Sequence, residues 1–364
     1  MTAGATTPIG AGFLGGGFMA AVHSRAARAA RARLVAVASS ALDRSEAAAA
    51  QLGIESADAS AEALLARDDI DVVHVCTPNA SHASLASAAI AAGRHVVCEK
   101  PLATSAADAR RLADELAASG LVGGVPFVYR YHPQVREARA RVARGELGAL
   151  LTLDAAYLQD WLLGESDGNW RADAVAGGPS RAFADIGSHL ADLIEFVTGE
   201  RIVRLSARTR TVYSERGGVS VSNEDIAALV VELSGGALGT LLISQMSPGR
   251  KNGLVLELHG AAESLRFEQE RPEELWVGRR DGSSILLRDA ATAAPEAERF
   301  SIVPSGHPMG YQDAFTAFVD DVYAVIRGEE REGMPTFADG ARAAVITEVV
   351  LESAATAQWI EVPA

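Results

Sequence analysis

Cysteine is nearly absent from this sequence: Cys76 and Cys98 are the only two among 364 residues. Each ends a short apolar run, Val72-Val73-His74-Val75 and Val96-Val97, so both read as buried strand thiols and not as a disulfide. A reducing, cytoplasmic setting fits that reading. Long apolar runs are missing as well, and no stretch approaches the roughly 18 residues that a membrane span needs. Met1 to Pro8 carries no basic region, which argues against a secretory signal. Basic residues are outnumbered, 33 Lys and Arg against 47 Asp and Glu, giving a formal net charge of −14. That excess argues against nucleic acid or an anionic membrane as partner. The eight histidines are scattered, with no HExxH and no clustered Cys/His spacing, so no metal site is expected. No GxSxG elbow occurs and neither cysteine has an activating neighbour, which disfavours covalent catalysis.

What is present is an alternating pattern. At this length the chain exceeds the roughly 250–300 residues at which single cores stop growing, so two domains are expected. From Ile9 to Val128 short apolar runs alternate with Ala-rich stretches. Strands are expected at Ile9–Leu14, Leu34–Ala38, Val72–Cys76, His95–Cys98 and Val122–Val128. Helices are expected at Met19–Ala32, Asp43–Leu52, Ala61–Ala66, His82–Ala92 and Ser105–Ser119. Apolar strands separated by helices imply a doubly wound parallel sheet, a Rossmann domain over 1–128, with its ligand beyond the strands' carboxyl ends. After Tyr129 the rhythm changes. Helices are expected at Gln134–Ala143, Asp185–Val197, Tyr311–Ile326 and Ala338–Ala357. Closely spaced β-rich runs fall at Leu150–Leu158, Val203–Val212, Ile226–Leu233, Gly239–Met246, Leu254–Gly260 and Leu275–Val277. Residues 129–364 therefore read as an α/β substrate-binding and oligomerisation domain on an open, mostly antiparallel sheet.

The segment Ile9 to Ala20 offers two glycine registers. Gly10, Gly12 and Gly15 spell GxGxxG, but leave only Met1–Ile9, with Pro8, as the preceding strand. Gly15, Gly17 and Ala20 spell GxGxxA, use Ile9–Leu14 as the strand and start a helix near Phe18. The second register satisfies the strand–turn–helix requirement. There Gly15 makes the tight turn, Gly17 lets the backbone approach a pyrophosphate, and Ala20 permits close helix–strand contact. The helix N-terminus at Phe18 and Met19 faces the anion. At the end of the second strand an NAD site usually carries a carboxylate for the ribose 2′-hydroxyl. Ser39 and Ser40 stand here, with Arg44 nearby. Without the repelling acid a 2′-phosphate is permitted and Arg44 can pair with it, so the balance tilts slightly to NADP within an NAD(P) assignment.

Three later segments carry a family resemblance. Cys76-Thr77-Pro78-Asn79, then His82, follows the strand Val72–Cys76. Glu99-Lys100-Pro101 follows His95–Cys98. Gly177-Gly178-Pro179-Ser180-Arg181 leads on to Asp185, His189 and Asp192. In this order and spacing they resemble the glucose–fructose oxidoreductase/inositol dehydrogenase family, abbreviated Gfo/Idh/MocA, over nearly the whole chain from Ile9 to Trp359. His95–Leu102, HVVCEKPL, is the most specific element. Tyr157-Leu158-Gln159-Asp160-Trp161, followed by Trp170-Arg171, looks like the group that includes levoglucosan dehydrogenase and related sugar dehydrogenases.

The resemblance implies a Rossmann domain, a C-terminal α/β sheet domain, an active site in the cleft between them, and homodimers or homotetramers through the open sheet. It implies hydride transfer between a nicotinamide and a sugar or cyclitol carbon. Lys100 sits just past a parallel strand, where it can hydrogen-bond the reacting oxygen. His189 titrates near working pH and serves as proton donor or acceptor. Asp185, one helical turn earlier, is the substrate binder, while Asp192 reads as structural. The resemblance places Thr77, Pro78, Asn79, His82 and Glu99 along the cofactor, and makes Tyr157, Gln159, Asp160, Trp161 and Arg171 candidate contacts for a polyol. A same-fold reductase of a keto-sugar or other carbonyl is the alternative. A non-catalytic dinucleotide sensor would need neither Lys100 nor His189.

Overall fold

A computed structural model describes residues 8–364. Its first layer is a wound parallel sheet. β1 (Gly10–Leu14) leads through α1 (Phe18–Ala29) to β2 (Arg33–Ala38), then α2 (Leu42–Leu52), β3 (Ser56–Asp58) and α3 (Ala61–Leu65). β4 (Val72–Val75), α4 (His82–Ala91), β5 (His95–Cys98), α5 (Ala106–Ser119) and β6 (Gly123–Gly124) follow. The strand order is β3-β2-β1-β4-β5-β6, and every pairing is parallel. The central strands β1 and β4 are buried throughout, which is why their sequences are unbroken small or apolar runs. The strand order reverses between β1 and β4, one half of the sheet winding outward to β3 and the other to β6, and this switch opens the crevice where such sheets bind ligands.

The run Val122–Val128 does not form the expected strand. Only Gly123 and Gly124 pair, and Val128–Tyr131 turns into a 3₁₀ helix. Pro126, between them, has no N–H to give to a ladder.

The second layer begins with α6 (Pro133–Ala143), β7 (Leu150–Leu158) and α7 (Ala174–Gly177). α8 (Ser188–Thr198) follows, preceded by a π-helical turn, Phe183–Gly187, where a regular helix was expected from Asp185. Single π turns of this kind cluster at functional sites. A side chain at Gly187 would fall 2.5 Å from the Phe183 ring, so glycine is required there.

The remaining strands are β8 (Ile202–Arg210), the small hairpin β9 (Glu215–Arg216) and β10 (Val219–Ser220), β11 (Ile226–Leu233), β12 (Leu238–Ser244) and β13 (Gly253–Gly260). β14 (Ser264–Glu268), β15 (Glu274–Arg279) and β16 (Gly282–Leu287) continue the sheet. The chain closes with α9 (Pro295–Glu298), α10 (Tyr311–Ile326), α11 (Phe337–Thr356) and β17 (Ile360–Glu361). Nine strands form one sheet in the order β16-β15-β14-β13-β7-β12-β11-β8-β17. Its pairings are antiparallel except β12 with β7.

Helix α10 returns to the first layer. Its Phe315, Phe318, Val319 and Val322 pack with Val22 and Ala26 of α1 in one buried cluster. The C-terminal part of the chain thus braces the helix that follows the glycine turn.

Candidate active site at the junction of two cavities

The glycine turn is built as the second register requires. Gly15 has φ +98°, and a Cβ there would lie 2.8 Å from the Cys76 carbonyl oxygen. Gly17 is the N-cap of α1 and offers no side-chain cap; a Cβ on it would meet nothing within 4 Å. The first amides of α1 therefore face open space without an internal acceptor, an arrangement that suits a pyrophosphate. Ala20, buried completely, lets α1 lie against the sheet.

A groove of about 640 Å³ runs past this turn. Gly15, Gly17, Phe18, Met19, Ser39, Ser40, Arg44, Thr77, Pro78, Asn79, His82, Glu99 and Lys100 all border it. At the end near the second strand Arg44 donates to Ser40 Oγ at 3.2 Å, and no carboxylate borders that end. Asn79 and His82 line the groove and are tied to its walls by backbone carbonyls. The Asn79 amide donates to the Gly177 carbonyl at 2.9 Å. The His82 ring lies between the carbonyls of Pro101 and Thr77, at 2.7 and 2.8 Å. Both residues fasten the groove walls.

A second cavity, about 520 Å³, opens beside the first. Phe18, Met19, Glu99, Lys100 and Arg171 border both, so the two spaces meet at these residues. Lys100 Nζ donates to Asp185 Oδ1 at 2.7 Å and to the Asp185 backbone carbonyl at 2.8 Å. Arg171 Nε approaches the same Oδ1 at 3.3 Å, and Gln245 Nε2 donates to Oδ2 at 2.9 Å. Burial pushes the Asp185 carboxyl up, but Lys100 and Arg171 outweigh it and hold it well below the usual carboxylate range. The Arg171 guanidinium also lies 4.4 Å from the Trp170 ring centre, a cation–π contact.

His189 lines this cavity with its ring set edge-on to Phe127 and Tyr129. Its Nδ1 is sealed from solvent and has no hydrogen-bond partner. Burial first, and the Lys100 charge second, lower its pKa to about 3. Both disfavour the imidazolium, so the ring is neutral at physiological pH.

The expected polyol contacts divide. Tyr157, Gln159, Trp161 and Arg171 border the cavity, with Trp161 donating to Gln159 Oε1 at 2.8 Å. The Tyr157 hydroxyl is bonded to Tyr129 and, at 2.6 Å, to Asn252 Oδ1. Asp160 is a correction: its carboxylate turns to Lys251 Nζ at 2.7 Å and the Gly249 amide at 2.9 Å, and it does not border the cavity. Asp192 binds Arg130 away from this cavity, and Arg130 also reaches Asp339 at 2.8 Å. Gln245, Lys251, Asn252, Tyr129 and Tyr311 were missed from sequence. They arrive from strand ends, turns and α10, and no local motif marks them. Among the described residues no group of three His, Cys, Asp or Glu is arranged to hold a metal.

Residues 9–127 match the family model described as "Oxidoreductase family, NAD-binding Rossmann fold", and residues 135–266 match the GFO/IDH/MocA C-terminal domain. This chain belongs to the GFO/IDH/MocA family of NAD-binding oxidoreductases. A levoglucosan dehydrogenase of Pseudarthrobacter phenanthrenivorans is 30% identical over 97% of each chain. A crystal structure of an oxidoreductase domain protein from Kribbella flavida superposes with TM-score 0.92 at 35% identity, covering 99% of this chain and 100% of that one. A levoglucosan dehydrogenase in complex with NADH and L-sorbose gives TM-score 0.92 at 29% identity, over 98% and 100% of the two chains. An Azotobacter vinelandii inositol dehydrogenase homolog complexed with NAD+ gives 0.89 at 27%, over 98% of each. In this chain the groove beside the glycine turn and the second cavity meet at Lys100.

Proposed function

We propose that the chain transfers a hydride between a nicotinamide dinucleotide and a secondary alcohol or ketone carbon of a sugar or cyclitol. The observation that carries this reading is the pairing of Lys100 and His189 in one cavity that opens onto the uncapped start of α1. A bound nicotinamide supplies the hydride acceptor in the oxidation and the donor in the reverse reaction.

The chain's own residues handle the proton. A lysine ammonium has three N–H donors, and two of Lys100's are spent on Asp185. The third is left for the oxygen of the reacting carbon. Asp185, tied by both carboxylate oxygens, sets the direction of that ammonium and is the anchor of the site. Neutral His189 takes the hydroxyl proton in the oxidation and returns it in the reduction, as a general base and acid. Trp161, Gln159 and the Tyr129–Tyr157–Asn252 cluster offer an aromatic face and amide or hydroxyl groups. That mixture fits a neutral polyol, which presents C–H patches and hydroxyls.

The exposed Arg44 beside Ser39 and Ser40 supports NADP over NAD. The outer face of the second sheet supports a homodimer or homotetramer. Ala228 and Val230 of β11 lie beside Leu238, Thr240 and Leu242 of β12, all exposed. The two folding units divide near residues 128 and 129.

The test is a screen of sugars and cyclitols with NAD and NADP in parallel, following absorbance of the reduced cofactor. Reduction with a neutral polyol is expected. No reduction with either cofactor, together with no oxidation of NADH or NADPH by keto-sugars, would overturn the reading.

A further inference from the structure

Beneath the junction lies a line of buried groups that the reaction above leaves unused. Glu99, at the end of β5, borders both cavities yet is only 5% exposed. Its Oε1 lies 2.9 Å from His23 Nε2, on α1. His23 Nδ1 lies 2.8 Å from His74 Nδ1, on β4. His74 Nε2 lies 2.7 Å from the Tyr323 hydroxyl, on α10. His23, His74 and Tyr323 are completely buried.

The chain has one consistent direction. The Tyr323 hydroxyl meets no other partner among the described residues, so its proton goes to His74 Nε2. His74 then carries its proton on Nδ1 and donates to His23 Nδ1. His23 must carry its own on Nε2 and donate to Glu99, which accepts as a carboxylate. Every group is satisfied; the reverse order keeps the three bonds only with Glu99 protonated, and it leaves the buried Tyr323 O–H without an acceptor. No member opens to bulk solvent at the tyrosine end, so the line is not a route for proton release. Glu99 Oε2 also accepts the Lys100 backbone N–H at 3.2 Å, which ties the line to the catalytic turn.

We propose that His23, His74 and Tyr323 are positioning residues that lock Glu99 as a buried carboxylate at the meeting point of the two cavities. A carboxylate there favours the oxidised nicotinamide, which carries a positive charge that the reduced form lacks. This consequence rests on the dinucleotide reading; the proton order within the chain does not. The other titratable groups facing Glu99 are Lys100, His82 on α4, His189 on α8 and Tyr311 on α10, with the thiols of Cys76 and Cys98, which burial keeps protonated.

The test has two arms. Imidazole ¹⁵N NMR of the protein alone should show His23 as the neutral Nε2–H tautomer and His74 as the neutral Nδ1–H tautomer. An imidazolium or the opposite tautomer at either position overturns the proposal. In the second arm, Kd values for NAD+ and NADH are measured between about pH 6 and pH 9. Their ratio should be flat in the wild type. In His74→Leu, which removes the donor to His23, the ratio should shift towards NADH by about tenfold as pH falls. His74→Asn, which keeps an N–H where Nδ1 stood, should restore the flat profile. A flat ratio in folded His74→Leu overturns the link to the cofactor. A wild type with the stated tautomers that binds neither dinucleotide overturns that link and the cofactor reading, and leaves the proton order standing. If His74→Leu does not fold, Tyr323→Phe takes its place: it frees His74 to change tautomer, and an unchanged His23 Nε2–H signal there counts against the lock.

Discussion

At the scale of single residues, the site is economical with its polar atoms. Lys100 keeps one donor free, His189 keeps its ring nitrogens unbonded within the protein, and nearly every other polar group nearby is spoken for. The buried ring of His189 has its pKa lowered to about 3, so no titration of this residue in the free protein should appear near its ordinary 6.5. Imidazole ¹⁵N shifts followed from pH 8 to 5 should leave His189 neutral throughout; a midpoint near 6.5 would contradict its burial. Replacing it by glutamine should lower turnover by about 10²–10⁴-fold, the usual worth of a placed acid–base group, with dinucleotide Kd little changed. At the other end of the groove, Arg44→Ala should weaken NADP by about fivefold and leave NAD unaffected, because Arg44 is exposed and its charge is screened. Equal effects on the two cofactors in a titration would remove Arg44 from the 2′-phosphate.

At the scale of elements, the turn between β1 and α1 carries the most stringent requirement. Gly15→Ala would force a side chain into a left-handed conformation and against the Cys76 backbone. The expected cost is about 1–3 kcal/mol of stability, read from urea unfolding, with weakened dinucleotide binding. A variant as stable as the wild type would show that the turn is not strained. This turn was legible in sequence because strand, glycines and helix lie within twelve consecutive residues. The parallel strands were legible for a similar reason: burial on both faces leaves an unbroken apolar run, as in Val72–Val75. The β6 segment was misread because its apolar letters hide Pro126 and two glycines pressed against Leu116, Phe337, Val322 and Phe318. Asp160 was misread because sequence adjacency to Gln159 and Trp161 says nothing about which way a turn points it. Gln245 and Asn252 were invisible because only the pairing of β7 with β12 and β13 brings their loops to Asp185 and Tyr157.

At the scale of the whole molecule, burial of neutral histidines sets the response to acid. His74, His82, His132 and His189 all have pKa values lowered by burial, His132 to about 4. As pH falls through 6.5 the unfolded chain takes up protons at these rings while the folded chain does not, so stability is lost on the acid side. Asp192 opposes this: burial raises its pKa to about 6, so the folded state gains a proton first between pH 6 and its ordinary 3.8. Burial also raises the Glu224 carboxyl and lowers the His95 ring, so two carboxyls stand against five imidazoles and a net loss remains. The urea midpoint should therefore fall steadily from about pH 7 to pH 5, and a constant midpoint would contradict the burial of these rings. Whether the two cavities meet in a hydride-transfer site at Lys100 is tested by Lys100→Ala assayed twice, for NADH or NADPH binding and for turnover of the best polyol found. Dinucleotide Kd should stay within a few-fold of wild type while turnover falls by about 10²–10⁴-fold. Turnover at the wild-type rate would contradict a hydride-transfer site there.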